Sequence, residues 1–410
     1  MIRLLHFADV HIGVENYGRT DPETGVSSRV RDFLRRLDEM IRFAGAHDVD
    51  LVIFAGDAFK NHQPNPTFQR EFAYRIGDLA ALCPVLLLVG NHDLPAVPSR
   101  ASSVEIYDTL NVPNVKVAMA YEVLTITTKS GPVQVATAPY PIRAKILENY
   151  DTRGMTIAQV DTLLQNQLQL ILRGLAKEVA GSEAPRVLTG HFTVAGALAG
   201  SERNIMMGRD TSVLLSELAD SVWDYVAMGH IHKHQNLTRD LRNQPPVVYS
   251  GSLERVDFGE EDDPKGFCWV ELERGRTRWE FVPVSARPFA TIHANVRGSL
   301  EPTEDVLAAI ATYRDERGLE DAVVRVIIQA DVDTEPKLRE ADIQRALHEA
   351  NVSFVAAIQK DVERPVRSRL GTSPDGMTAL DMLRHYFESK RLDEDRIERL
   401  LSQAEAFLGE

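Results

Sequence analysis

A layered α/β fold is predicted for residues 1–285, and three observations predict it. Five apolar runs (IRLLHFA, DLVIFA, VLLLV, RVLT and YVAM) read as buried strands and alternate with amphipathic helical patterns. Each run ends in a short polar motif: Asp9-Val10-His11, Gly56-Asp57, Gly90-Asn91-His92-Asp93, Gly190-His191 and Gly229-His230-Ile231-His232. Further strand-like runs at 121–137, 246–250, 266–273 and 277–284 are too many for one covered sheet. Two packed sheets flanked by helices accommodate them all.

Taken in order, the elements justify themselves as follows. Ser28–Ala46 carries Val30, Phe33, Leu34, Leu37, Met40 and Ile41 at helical spacing. Segments 66–82 (Phe68, Phe72, Ile76, Leu79) and 101–110 (Val104, Ile106, Tyr107, Leu110) read as helices whose stripes pack on the core. A hairpin turns at Ser130-Gly131-Pro132. Thr156–Ala180 is a long amphipathic helix. The run Glu260-Glu261-Asp262-Asp263-Pro264 reads as a surface loop, and Ser285–Pro288 as a linker. Residues 286–361 then show strand, helix, strand, helix, strand, a small α/β cap with no metal or nucleophile motif. Residues 362–376 have linker composition. Residues 377–410 form a helical pair with apolar stripes at Leu380, Leu383 and Phe387, and at Ile397, Leu400 and Leu401. So short a pair builds little core alone, so its stripes are expected to bind a partner.

Seven side chains at the strand ends are candidate metal ligands: Asp9, His11, Asp57, Asn91, His191, His230 and His232. The carboxyl ends of parallel strands share one edge, where ligands bind. Carboxylates with imidazoles suit first-row divalent metals, with manganese, iron and zinc all open. Seven ligands exceed the need of one ion and satisfy two if a carboxylate bridges them; Asp57 lies mid-set. Two such ions clamp the attacking and leaving oxygens of a phosphoryl displacement. His92 is left over, and an imidazole beside a metal pair is a natural proton donor. Alone, a D-x-H carries nothing, and G-N-H-D is as readily a tight turn. The five together, in order and each behind an apolar strand, carry the reading.

This set resembles the calcineurin-like metallophosphoesterases, whose pattern is D-x-H, G-D, G-N-H-[DE], G-H and G-H-x-H, over residues 1–255. Leu5–Gly13, Gly56–Phe59, Tyr249–Glu260 and Lys265-Gly266-Phe267 are similar to the SbcD-type nucleases, bacterial counterparts of the nuclease that processes DNA double-strand ends in meiosis. The resemblance implies a two-sheet metallophosphoesterase core. It implies one metal on Asp9, His11, Asp57 and His232 and another on Asp57, Asn91, His191 and His230, with manganese as the expected ion. It gives His92 the leaving sugar oxygen to protonate, with Asp93 orienting it. It also implies 3′→5′ exonuclease action on duplex ends, endonuclease action on single strands and hairpins, and a cap that contacts DNA. The helical tail then grips an SbcC-type ATPase, helices from the 66–110 region form a two-fold homodimer, and the complex works on the nucleoid in the cytoplasm. One departure stands out. Some relatives carry a histidine directly after G-D-x-F; here Lys60 holds that position and His62 follows two residues on. Two rival readings are a small-molecule phosphoesterase such as a nucleotidase, and a non-catalytic scaffold for the ATPase.

Composition bounds these readings. A chain of 410 residues holds roughly two or three domains. The formal charge of −14, from 46 Lys+Arg against 60 Asp+Glu, is unusual for a protein that grips duplex by itself, so much of the DNA affinity is expected to come from the partner. Arg29, Arg31, Arg35 and Arg36 read as a solvated helix face. Cys83 and Cys268 lie in apolar runs and are expected to be buried free thiols. No run approaches a membrane span, and the N-terminus enters a strand without a signal-peptide pattern.

Overall fold

The computed structural model describes residues 1–95, 97, 100–200, 211–363 and 377–408, the last three by backbone only. Sheet I contains β1 (Ile2–Phe7), β2 (Leu51–Phe54), β3 (Val85–Leu88) and β4 (Val115–Ala118) as parallel neighbours. Sheet II contains β5 (Glu122–Thr128), β6 (Gly131–Ala138), β7 (Arg186–His191), β10 (Tyr225–Gly229), β11 (Gln235–Asn236) and β12 (Val247–Tyr249). A two-residue ladder, β8 (Thr193–Val194) with β9 (Ser212–Val213), lies in the chain between β7 and β10. Then β13 (Gly266–Leu272) returns to sheet I antiparallel beside β1, and β14 (Arg278–Pro283) lies antiparallel beside β13. The sheet orders are β14-β13-β1-β2-β3-β4 and β11-β12-β10-β7-β6-β5.

Alternation along each strand explains why the runs are apolar throughout. Leu4, Leu51, Ile53 and Leu86 of sheet I share an inner core with Val135, Val187, Ala227 and Val248 of sheet II. Their neighbours Leu5, Phe7, Val52, Phe54 and Leu87 point the other way, into α1 (Ser28–Ala46) and α2 (Pro66–Leu82). On the far side Leu188, Val226 and Met228 meet Leu168, Leu172 and Leu175 of the long helix. The order is helix, sheet, sheet, helix. Ser27 caps α1, Asn65 with Pro66 caps α2, and Thr156 with Gln159 forms a capping box on the long helix.

Several expectations need correction. Of segment 101–110 only α3 (Ile106–Thr109) is helical; Val104 and Tyr107 are buried, Ile106 and Leu110 exposed. Phe72, Ile76 and Leu79 are consumed by the core and have no face for a second copy. The arginines of α1 are not one solvated face. Arg29 is buried, with Nη1 2.8 Å from Asp32 Oδ2 and Nη2 on the Arg255 carbonyl, because it stands one turn before Phe33 on the apolar side. Nor is 260–264 a solvated loop: Glu260 and Asp263 are buried. Cys83 and Cys268 are buried and free. Among the described residues no helix is long and apolar enough to cross a membrane.

After α4 (Arg143–Ile146) and α5 (Ile157–Val179), the helix pair on the third sheet is α6 (Pro302–Arg317) and α7 (Glu340–Glu349). That sheet is β15 (Phe289–Asn295), β16 (Val323–Asp331) and β17 (Phe354–Glu363), all parallel. Ile292, Val326, Ile328, Val306, Ile310, Ile343 and Leu347 form its core. α7 is preceded by a 3₁₀ turn over Glu335–Lys337 that holds Pro336. β17 takes up residues 362 and 363 of the expected linker; 364–376 lie outside the described residues. Last come α8 (Ala379–Ser389) and α9 (Glu394–Leu408), packed on each other and joined by Arg384 to Glu394 and Glu398. Ile397 and Leu401 are buried and are therefore not free for a partner; Leu380, Leu383, Phe387 and Leu400 keep partial exposure.

Candidate metal centre

The strand ends of both sheets meet at one edge. Asp9 follows β1, Asp57 follows β2 and Asn91 follows β3; His191 ends β7, and His230 and His232 follow β10. The sheets are tied there by backbone as well as side chain. His230 N donates to both Asp9 carboxylate oxygens at 3.0 and 3.1 Å, and Asp9 N donates to the Gly56 carbonyl at 3.0 Å. Asp9, His11, Asp57 and His230 all have positive φ, at 52°, 49°, 65° and 94°. Such backbone costs about 1–3 kcal/mol per non-glycine residue and clusters at functional sites. Glycine is demanded where the turns touch. A Cβ on Gly90 would stand 2.2 Å from Asp57 Oδ1, and one on Gly56 would stand 2.3 Å from His191 Nδ1.

All seven candidate ligands converge. The ligand atoms of Asp9, His11 and His232 lie within 4.8 Å of one another, as do those of Asp9, Asp57 and His191. His11 Nε2 faces His232 Nε2 at 2.9 Å. His191 Nε2 lies 3.3 Å from Asp57 Oδ2 and 3.0 Å from Asn91 Oδ1. Asn91 Oδ1 is also 2.9 Å from His230 Nδ1. The outer nitrogens are tethered: His191 Nδ1 to the Ala55 carbonyl at 2.6 Å, His232 Nδ1 to Glu260 Oε1 at 2.7 Å. Tethers of this kind fix tautomer and ring angle in metal sites, leaving the inner nitrogen for the ion.

The electrostatics ask for positive charge where these groups meet. Burial opposes charge on Asp57, but His191 beside it prevails and holds its carboxyl well below the usual range. Burial also presses His191 downward, yet Asp57 lifts it to about 9. Burial pushes Asp9 up, and it lowers His11 with help from His232. Oxygens and imidazole nitrogens crowded on one point, with no lysine or arginine among the described groups that converge, fit divalent cations.

His92 stands at the rim. Its Nδ1 lies 2.7 Å from the Lys60 carbonyl, its amide donates to Asp57 Oδ1 at 2.8 Å, and its ring is 4.8 Å from that of His11. Lys60 meets the centre through its backbone. Asp93 does not orient His92 by side-chain contact. Its carboxylate accepts from Asp57 N, Ala58 N, Gly90 N and Ser103 Oγ at 2.9–3.1 Å, so it clamps the two ligand loops together. Burial, with Asp57 adding, raises its pKa to about 6.

The family model for calcineurin-like phosphoesterases matches residues 2–234. The chain belongs to that family. Beyond it, this phosphoesterase is 26% identical to the SbcD component of the nuclease SbcCD from Bacillus subtilis over 360 residues, 83% of each chain. It is 26% identical to the Escherichia coli K12 protein of the same name over 318 residues, 74% of this chain and 75% of that one. A crystal structure of a dimetal phosphatase from Danio rerio is 13% identical, with a TM-score of 0.40, over 68% of this chain and 98% of that one.

Two groups of the phosphoesterase site escaped the sequence reading. Glu260 and Lys265 form a buried pair, Oε2 to Nζ 2.7 Å, directly behind His232. Burial would raise the Glu260 carboxyl, but Lys265 holds it well below its usual range. The signal was present in Lys265 opening the buried strand GFCWV, a position where a lysine needs a counter-charge. Tyr140, 5.7 Å from the His230 ring, also borders the centre.

Proposed function

We propose that this phosphoesterase is a two-metal DNA phosphodiesterase, the nuclease half of a complex with an SbcC-type ATPase. The observation that carries the metal reading is the convergence of Asp9, His11, Asp57, Asn91, His191, His230 and His232 with their inner donor atoms turned on one another. Similarity to the SbcD component of SbcCD over 83% of both chains supports the DNA reading. Asp9, His11, Asp57 and His232 hold one ion; Asp57, Asn91, His191 and His230 hold the other; manganese is the ion proposed. Bound there, the pair supplies a nucleophile at neutral pH and neutralises charge developing on the phosphate. His92 does the proton work. The Lys60 carbonyl holds a proton on Nδ1, which leaves Nε2 for the departing sugar oxygen; the imidazolium gives up its Nε2 proton there and is left as a neutral ring.

The rest of the chain is read in the same frame. Residues 1–285 are the nuclease domain, 286–361 a DNA-contacting cap, 362–376 a linker and 377–410 the ATPase-binding tail, in a cytoplasmic homodimer. With Phe72, Ile76 and Leu79 buried, the exposed large apolar residues described in the dimer region are Tyr74, Leu82, Val97, Ile106 and Leu110. Cleavage covers duplex ends in the 3′→5′ direction, single strands and hairpins.

One observation favours a second reading. A cleft of about 970 Å³ opens beside Asn91, lined by Tyr121, Tyr140, Arg100, Arg143 and Lys145 among others, at the upper end of the size that takes a small ligand. A nucleotidase would use it for a free nucleotide. The test is manganese titration with end-labelled duplex, a labelled hairpin and nucleoside monophosphates as parallel substrates. DNA cleavage with intact monophosphates supports the nuclease; turnover of monophosphates with intact DNA refutes it.

A further inference from the structure

We infer that the cap helps hold the metal centre in shape: Glu260 is a positioning residue for His232, and its neighbour Glu261 ties that support to the cap. The two carboxylates leave one turn in opposite directions. Glu260, last residue of the 3₁₀ turn Phe258–Glu260, points inward and is fully buried. One oxygen takes His232 Nδ1 at 2.7 Å; the other takes Lys265 Nζ at 2.7 Å and Val256 N at 3.0 Å. Lys265 is held in turn by Ser252 Oγ at 2.8 Å and the His232 carbonyl at 3.2 Å. Glu261 points outward. Its Oε1 accepts from Thr291 N of β15 at 2.7 Å and from Tyr313 Oη of α6 at 3.4 Å, and its Oε2 takes the Thr291 hydroxyl. Consecutive residues on a tight turn do not move independently, so a cap displaced from Glu261 drags on the Glu260 carboxylate.

Two other contacts cross the same seam. Arg255 donates to the carbonyls of Glu260, Asp263 and Arg287 at 3.0–3.1 Å, while Arg287 grips Asp32 of α1 and Asp321 of the cap. Tyr17, on the loop that leaves His11, sets its ring among Phe258, Phe289 and Phe354 at 5.3, 5.8 and 6.4 Å. Two segments adjoining ligands of the same proposed ion, the one on Asp9, His11, Asp57 and His232, therefore end on the cap. A partner histidine carboxylate of this kind is worth about 10–100-fold in metal affinity, and coupling between distant groups about 5-fold or more.

The inference rests on the metal reading of the site and not on DNA, so the test uses neither DNA nor activity. Manganese binding to the full-length protein is measured by calorimetry and by electron paramagnetic resonance of the bound ion. E260Q is expected to weaken one of two sites about 10–100-fold. E261Q and T291V, both outside contact with any ligand, are expected to weaken the same site about 5-fold and to leave the other unchanged. D262N, on an exposed neighbour, is expected to match wild type. Circular dichroism checks that each variant folds, and T291V, nearly isosteric, keeps the test open if E261Q does not. Wild-type affinity in folded E261Q or T291V overturns the coupling; wild-type affinity in E260Q overturns the positioning role. A wild-type protein that takes up no manganese fails the metal reading itself, a separate result.

Discussion

At the edge where the two sheets meet, Asp9, His11, Asp57, His191, His230 and His232 are buried and held by residues from both sheets. In the helix pair 379–408, the only apolar side chains buried among those described are Ile397 and Leu401; Leu380, Leu383, Phe387 and Leu400 stay partly exposed. Both regions hold residues to which a function is proposed, yet their order has different sources. The edge is fixed by its own chain, through strained backbone and crossing hydrogen bonds. The hairpin buries one seam and keeps apolar surface, and such surface is stable in water only at a cost that a partner removes. Changes at the edge should therefore act on metal and chemistry, and changes in the tail on assembly.

The largest expected effect is at Asp57. D57N removes the carboxylate proposed to be shared, so elemental analysis should find both ions lost. Since a metal pair supplies several kcal/mol of transition-state stabilisation at about 1.4 kcal/mol per tenfold, cleavage should fall by about 10⁴-fold. A variant that keeps two ions and cuts normally would break the account of the edge. H92N should keep both ions and lose about 10²–10⁴-fold in cleavage, the worth of a placed proton donor. Metal loss in H92N would make His92 a ligand instead.

In the tail the expectation reverses. Deleting residues 370–410 should change the unfolding free energy of the remainder by no more than about 0.5 kcal/mol and leave manganese binding intact. Co-purification with a co-expressed SbcC-type ATPase should be lost. L383E combined with F387E should do the same, since charges placed on a docking face are costly to bury. Unfolding of the nuclease core on truncation would erase the contrast between the two regions. The smallest effect is expected for K60A. Only the Lys60 carbonyl reaches His92, so cleavage should stay within about 2-fold, a difference near 0.5 kcal/mol.

The contrast also explains what was legible in the sequence. Strands that alternate between two apolar layers leave unbroken hydrophobic runs, and each ligand follows such a run, so their meeting could be read from order alone. Arg29 and Glu260 were hidden because charged residues in charged runs read as solvated. For Arg29 the helical period was the missed signal, since 29, 33 and 37 share the apolar side. For Glu260 no period exists. In the run 260–263 one carboxylate faces His232, the next the cap, the third solvent and the fourth Lys233, a pattern set by a single turn. Segment 101–110 misled in the other direction: its apolar residues sit at helical spacing, but only four residues form the helix, and Val104 reaches the core from the turn before it.

The bond between His230 and Asp9 spans 221 positions of chain. Contacts of such separation form late, after the loop-closure entropy of the intervening segments has been met. A ribosome that has made the chain only through β4, before β13 and β14 complete sheet I, has made only part of the candidate ligand set. So has a folding chain whose second sheet has not docked. The phosphoester-cutting centre thus comes into being only with the finished core, and partly made or misfolded copies are unarmed.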